Sequence, residues 1–244
     1  MRVGILGDLQ SAVPVDVCAA VAAYQIEQNF PLDLLLQVGD LWRRLWEEAP
    51  LQLAAERFRG ILPLPIRFLR GNHDDPDRIR SVLRERRPGA TVDTPGMFAY
   101  LEDGTRMDAG GLRFGVAGGA ASPSPDPGPD DVDPEALRTL AASGPVDVLL
   151  THDAPVGFSW PRPDGFEPGS RLIADYALGP AGPALLVHGH QHVAYGPKRL
   201  GASRLQIAGL AAADGPVTNG WLGLLDTTAR AFWIAGREDN RITF

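Results

Sequence analysis

Five short apolar runs in this chain each end, within a few residues, in a side chain of the kind that ligates metal ions. Arg2–Gly7 (RVGILG) leads into Asp8 and Gln10, and Leu34–Val38 (LLLQV) leads into Asp40. Ile66–Leu69 (IRFL) precedes Asn72 and His73, Val146–Leu150 precedes His152, and Ala184–Val187 precedes His190 and His192. Runs of this length closed by turn residues read as buried strands. Segments with helical spacing separate the first three: Pro14–Asn29, carrying Val17, Val21 and Tyr24, then Trp46–Arg59 and Asp77–Arg86. Strands alternating with helices imply right-handed βαβ units and a parallel sheet. Ligands of open α/β sheets bind beyond the carboxyl ends of the strands, so five separate strand ends can converge on one site. All five histidines (73, 152, 188, 190 and 192) lie on or beside these ends.

The middle of the chain has a different pattern. Phe98–Leu101, Thr105–Asp108 and Leu112–Ala117 read as short strands joined by Gly-containing turns, a meander or hairpin. Residues 118–133 are rich in Gly, Pro and Asp and form a loop, either functional or a plain surface insertion. Pro134–Ala142 reads as a helix, and a second Pro/Gly-rich excursion over 155–169 carries Phe158, Trp160 and Phe166. Arg204–Ile207 and Trp221–Leu225 are two further strands. With no internal repeat and no linker between self-sufficient halves, one domain over residues 1–244 is expected.

Composition narrows the function classes. A net charge of −7 argues against a long nucleic-acid partner, which normally shows as a basic stripe. Lys198 is the sole lysine, and with 28 Gly and 22 Pro this suggests the usage of a GC-rich bacterial genome. The single Cys18, in an Ala-rich helical stretch, reads as a small buried apolar residue. Met1 leads straight into a strand-like run rather than a signal sequence, and no apolar segment approaches the roughly 18 residues a membrane span needs. A cytoplasmic location without membrane contact is the expectation. There is no GxxxxGK[ST] phosphate loop, no GxGxxG turn, no GxSxG elbow and no HExxH helix.

The residue types suit a two-metal hydrolytic site. Such a site holds its cations about 3.5–4 Å apart and needs a short bridging carboxylate, for which Asp40 is the candidate. Imidazoles with carboxylates favour Mn, Fe, Zn, Co or Ni over the all-oxygen shells of Mg or Ca. Asn72 adds a neutral amide oxygen, leaving the cluster electropositive toward an anionic phosphate. His188, on the apolar strand before the GHQH turn, fits a supporting role.

The order GD…GD…GNHD…H…GHxH, from Asp8 to His192, resembles the signature of the calcineurin-like metallophosphoesterase superfamily. The resemblance implies an α/β fold, a four-layered α/β/β/α sandwich with two mixed β-sheets. It implies that Asp8 and His192 hold a first metal, that Asp40 bridges, and that Asn72, His152 and His190 complete a second site, with manganese the foremost metal. It implies that His73 is catalytic, and that Asn72 and His73 face the substrate, with a metal-held hydroxide attacking phosphorus. Gln10 stands where the family's first motif carries a His. An amide oxygen is the poorer donor to transition metals, so the first site is expected to be weak or empty, with Gln10 either a ligand or a pocket wall. Arg43 replaces the acidic residue of the protein phosphatases, and GNHD replaces their GNHE, which points to phosphodiesterase-like branches. Arg43 and Arg44 read either as phosphate-binding or as a solvated helix start, and Trp42 and Trp46 either as a base-stacking wall or as core packing. The expected substrate is a small nucleotide-like phosphoester. A nuclease or RNA-debranching activity and a protein-binding scaffold are the alternatives.

Overall fold

The computed structural model describes residues 1–10, 12–41, 48–85, 91–122, 128, 130–158, 168–199 and 203–244. Trp42, Arg43, Arg44, Trp46, Trp160 and Phe166 lie outside these residues.

The apolar runs form strands that are buried on both faces. β1 (Arg2–Leu6), β2 (Leu34–Gln37), β3 (Ile66–Phe68) and β4 (Phe98–Tyr100) are parallel neighbours in one sheet. β11 (Leu222–Asp226), β12 (Ala231–Ile234) and β13 (Ile242–Thr243) extend its other edge in antiparallel fashion. The second sheet comprises β5 (Arg106–Ala109), β6 (Leu112–Ala117), β7 (Val148–Thr151), β8 (Leu185–His188), β9 (Tyr195–Arg199) and β10 (Gln206–Gly209), in the order β5-β6-β7-β8-β10-β9. Both sheets are mixed.

Alternation along these strands divides the core into three apolar layers. Val3, Ile5, Leu36, Phe114, Val148 and Leu185 meet between the sheets. Their neighbours Leu6 and Leu35 face α1 (Pro14–Glu27) and α2 (Glu48–Ile61) on one outside. Leu149, Leu186 and Ile207 face α4 (Pro134–Ala142) and α5 (Arg171–Leu178) on the other. This is the expected α/β/β/α sandwich with two mixed sheets. Each such Leu, fully buried, contributes roughly 1.5–3 kcal/mol.

Helix boundaries follow local chemistry. Pro14 opens α1, and Val17, Cys18, Val21 and Tyr24 form its buried face. Burial pushes the Cys18 thiol up to about 11, as befits a packed rather than a reactive side chain. Asp133 caps α4 by accepting from the Glu135 amide, and Ser170 caps α5 by accepting from Ile173. α3 (Pro76–Glu85) follows the third ligand motif directly.

Three local expectations change. Phe98–Leu101 does not belong to a meander: β4 completes the first sheet beside β3, and only β5 and β6 form the hairpin that opens the second. The Gly104 turn, whose amide donates to Val116, is therefore a crossing between sheets. Helix α5 and the strands β9, β12 and β13 were not anticipated, because each is too short to show a clear periodicity. No described helix is long and apolar enough to cross a membrane.

Candidate metal centre

The five ligand motifs leave adjacent strand ends. Asp8 follows β1, Asp40 follows β2, Asn72 follows β3, His152 follows β7 and His190 follows β8. Packing the two sheets face to face brings these ends together, and ligand atoms of Asp8, Asp40 and His152 lie within 4.8 Å of one another. All three side chains are buried.

Two groups of donors flank that centre. In the first, His192 Nε2 lies 2.9 Å from Asp8 Oδ2 and 2.8 Å from the Gln10 side-chain amide. Gln10 thus lies beside His192, with its amide nitrogen making the contact. In the second, His152 Nε2 lies 2.9 Å from Asn72 Oδ1 and 3.6 Å from Asp40 Oδ1. The His190 ring stands edge-on to His152, with ring centroids 4.9 Å apart. His73 donates its backbone N–H to Asp40 Oδ1 at 2.8 Å. Its ring makes no hydrogen bond among the described residues and is half-buried at the rim.

With His152 neutral, the acceptors in this cluster are not all satisfied unless a cation is present. His152 Nδ1 sits 2.9 Å from the Val38 carbonyl and must donate to it. In the neutral ring Nε2 is then a bare lone pair aimed at the Asn72 and Asp40 oxygens. Asp40 Oδ2, also buried, has no hydrogen-bond partner. Unpaired acceptors of this kind carry a large desolvation penalty, and a metal ion removes it. The side chains therefore fit a divalent cation. Burial opposes the charged form of His152, yet Asp8 and Asp40 outweigh it and raise its pKa, so these carboxylates attract positive charge at this point, which a proton or a divalent cation can supply. Burial and the neighbouring His152 hold His190 down at about 4, leaving a neutral imidazole able to ligate.

The backbone of the centre is strained where it matters. Asp40, His190 and His192 have φ of 57°, 64° and 55°, three of the five positive-φ non-Gly residues among those described, in a region L-residues seldom occupy. Two glycines make room for ligands from other motifs: a Cβ on Gly71 would strike Asp40 Oδ1, and one on Gly189 would strike Asp8 Oδ1.

Two supporting residues were not singled out from sequence. Asp74 is buried, and its carboxylate accepts from the amides of Asp40, Leu41 and Gly71, joining the GNHD loop to the GDLW turn. Burial, then the proximity of Asp40, pushes its pKa up to about 6. Gln37 donates to the carbonyls of Gly7 and Gly39 and accepts from the Gly39 amide, so one amide clamps the turns that present Asp8 and Asp40. A polar residue inside the run LLLQV was the available signal. His188 is buried and bonded to the Gly189 carbonyl and the Tyr195 hydroxyl, away from the donor groups.

The sequence model of a family described as calcineurin-like phosphoesterase matches residues 1–194, which include every ligand motif. No curated protein matches the chain. Among solved structures, TT1561 of Thermus thermophilus is similar with a TM-score of 0.60 at 15% identity, over 95% of this chain and 96% of that one. A hypothetical protein of the same organism (16% identity, 87% of this chain, 75% of that one) and its 5′-nucleotidase precursor (17%, 93% and 52%) each give a TM-score of 0.48. The first likeness supports the fold, and the other two superpose too loosely to bear on the site.

Proposed function

Since this chain belongs to the calcineurin-like phosphoesterase family, whose activity is metal-dependent phosphoester hydrolysis, we propose that it cleaves small phosphodiesters with a nucleotide-like organic group. The observation that carries this reading is the convergence of buried Asp8, Asp40 and His152 with an unpartnered oxygen on Asp40. Asp8, Gln10 and His192 would hold one cation, Asn72, His152 and His190 the other, with Asp40 between them. When bound, divalent cations polarise the phosphoryl oxygens and lower the pKa of water. The protein's own contribution is to fix the donors: Asp74 and Gln37 hold the turns, and Val38 sets the His152 tautomer. His73, at the rim with its ring unengaged, is placed to give a proton to the departing alcohol oxygen or to stabilise the phosphoryl group.

The preference for a diester rests on the adjoining cavity. It measures 700 Å³ and is lined by Asp8, Gln10 and His192 together with Asp16, Asp214 and Trp221. No Arg or Lys is among its described lining residues. A monoester dianion or a polyphosphate chain would meet carboxylates there with no Arg or Lys to compensate, whereas a diester carries one charge and an organic substituent. The same acidity disfavours a long polyanionic strand.

The test is hydrolysis of bis(p-nitrophenyl) phosphate and p-nitrophenyl phosphate with Mn, Ni and Mg in turn. We expect chelator-sensitive turnover, at least tenfold greater on the diester with Mn or Ni than on the monoester. Inactivity on both with every metal, alongside less than one bound metal per chain, sinks the proposal. Gln10→His should tighten the weaker of two metal-binding events by at least tenfold in calorimetric titration, because imidazole is the better donor to these ions. An unchanged dissociation constant would show that Gln10 is a wall and not a ligand.

A further inference from the structure

The end of the sandwich opposite the metal centre carries a second polar concavity. Asp147 precedes β7 and His152 follows it, so the two ends of this one strand lie about 16 Å apart at about 3.3 Å per residue. Around Asp147 is a cavity of 360 Å³ whose charged lining consists of Arg113, Arg199, Arg204 and Arg230 with the carboxylates of Asp147 and of Phe244, the last residue of the chain. The volume suits a small molecule and not a polymer.

Within this group the charges do not cancel. Asp147 is shared by two guanidinium groups: Arg113 Nε lies 2.8 Å from one oxygen, and Arg230 Nη2 lies 3.0 Å from the other. Those contacts hold the Asp147 carboxyl well below the usual range. Arg230 Nε is further directed to the terminal carboxylate of Phe244 at 2.9 Å. Arg204 is bonded only to the Gly182 carbonyl at 3.3 Å, and Arg199 has no ion pair or hydrogen bond among the described residues. Four cations thus face two anions, and the forks of Arg199 and Arg204 are largely unspent.

A buried polar group points to the same place. Gln206 is only 6% exposed, lines the cavity, and its side-chain amide makes no hydrogen bond among the described residues. It sits directly across the β9–β10 ladder from Arg199, so the two side chains emerge on the same face. The Gln206 amide is open to the cavity and free to donate to a ligand oxygen. We propose that this cavity binds a small phosphate-bearing anion, gripped by Arg199 and Arg204, with Gln206 donating to a phosphoryl oxygen and the Arg113–Asp147–Arg230 cluster as its floor. Planar guanidinium forks match phosphoryl oxygens in pairs. The cavity beside the metal centre has no Arg or Lys among its described lining residues.

Calorimetric titration of the metal-loaded full chain with inorganic phosphate tests the assignment. Two binding events are expected, one at the metals and one at the arginines. Arg199→Ala combined with Arg204→Ala should weaken one event at least tenfold, while leaving diester hydrolysis, and its inhibition by phosphate, within twofold of wild type. Both residues are exposed, so the fold should tolerate the change. Gln206→Leu, close in size, should weaken the same event severalfold. A single phosphate event that neither variant alters would overturn the proposal.

Discussion

Asp40→Asn should abolish turnover and at the same time raise the thermal stability of the metal-free protein. The carboxylate is buried beside Asp8 and Asp74, and Oδ2 has no hydrogen-bond donor. Without a cation that charge is held at a cost, and a neutral amide of the same shape relieves it. Asparagine also accepts the left-handed φ of 57° at this position more readily than most residues. The oxygen of the new amide can still accept the His73 N–H, so the loop junction survives. The replaced oxygen, however, becomes an N–H₂ group that repels a metal. We expect at least one metal equivalent to be lost and turnover to fall about a thousandfold, about 4 kcal/mol of transition-state stabilisation. In chelator the variant should melt above wild type. With metal at a hundredfold excess over its dissociation constant, wild type should gain about 2.7 kcal/mol and the variant almost none. The measurements are metal content, melting in chelator and in metal, and steady-state rate. A variant that keeps its metal and its rate would remove Asp40 from the centre.

His73→Ala should have the second largest effect, with the opposite signature. The ring makes no hydrogen bond among the described residues, and the junction with Asp40 runs through the backbone amide, which alanine keeps. Metal content and melting temperature should therefore hold. Turnover should fall by about a hundred- to ten-thousandfold, the range for loss of a group that transfers a proton in the transition state. Leaving groups separate the possible roles. If His73 protonates the departing oxygen, the loss should be greater for an alkyl ester than for a p-nitrophenyl ester, whose phenolate leaves without help. An equal loss on both would assign the ring to the phosphoryl oxygens. Unchanged turnover, or loss of metal, would refute the rim placement altogether.

The site was legible from the sequence to a degree unusual for side chains so far apart in the chain. Each ligand follows an apolar run, and a strand's carboxyl end is where a parallel sheet exposes side chains. Asp8, Asp40, Asn72, His152, His190 and His192 therefore meet for a reason their placement already contained. Gln10 stands with them, 2.8 Å from His192. The residues that hold the ligands were harder to see. Asp74 is one more acidic residue in an Asp-rich turn until the Asp40, Leu41 and Gly71 amides are found pointing at it. Gln37 breaks an apolar run without saying which carbonyls it will meet.

By itself the sequence determined the alternation of strand and helix and the placement of the candidate ligands at strand ends, because these follow from local periodicity and from what lies at the end of each period, while the class of the sandwich came from the resemblance its motifs carry. Only the tertiary structure decided which sheet each short strand joins, as with β4 and β5, since that depends on partners and not on the strand's own residues. It alone brought Arg113, Arg199, Arg204 and Arg230 around one cavity, from positions with no common spacing. Pairing across a sheet and the sharing of buried donors and acceptors are settled between segments distant in the chain, where hydrogen bonding must be satisfied for the whole molecule at once.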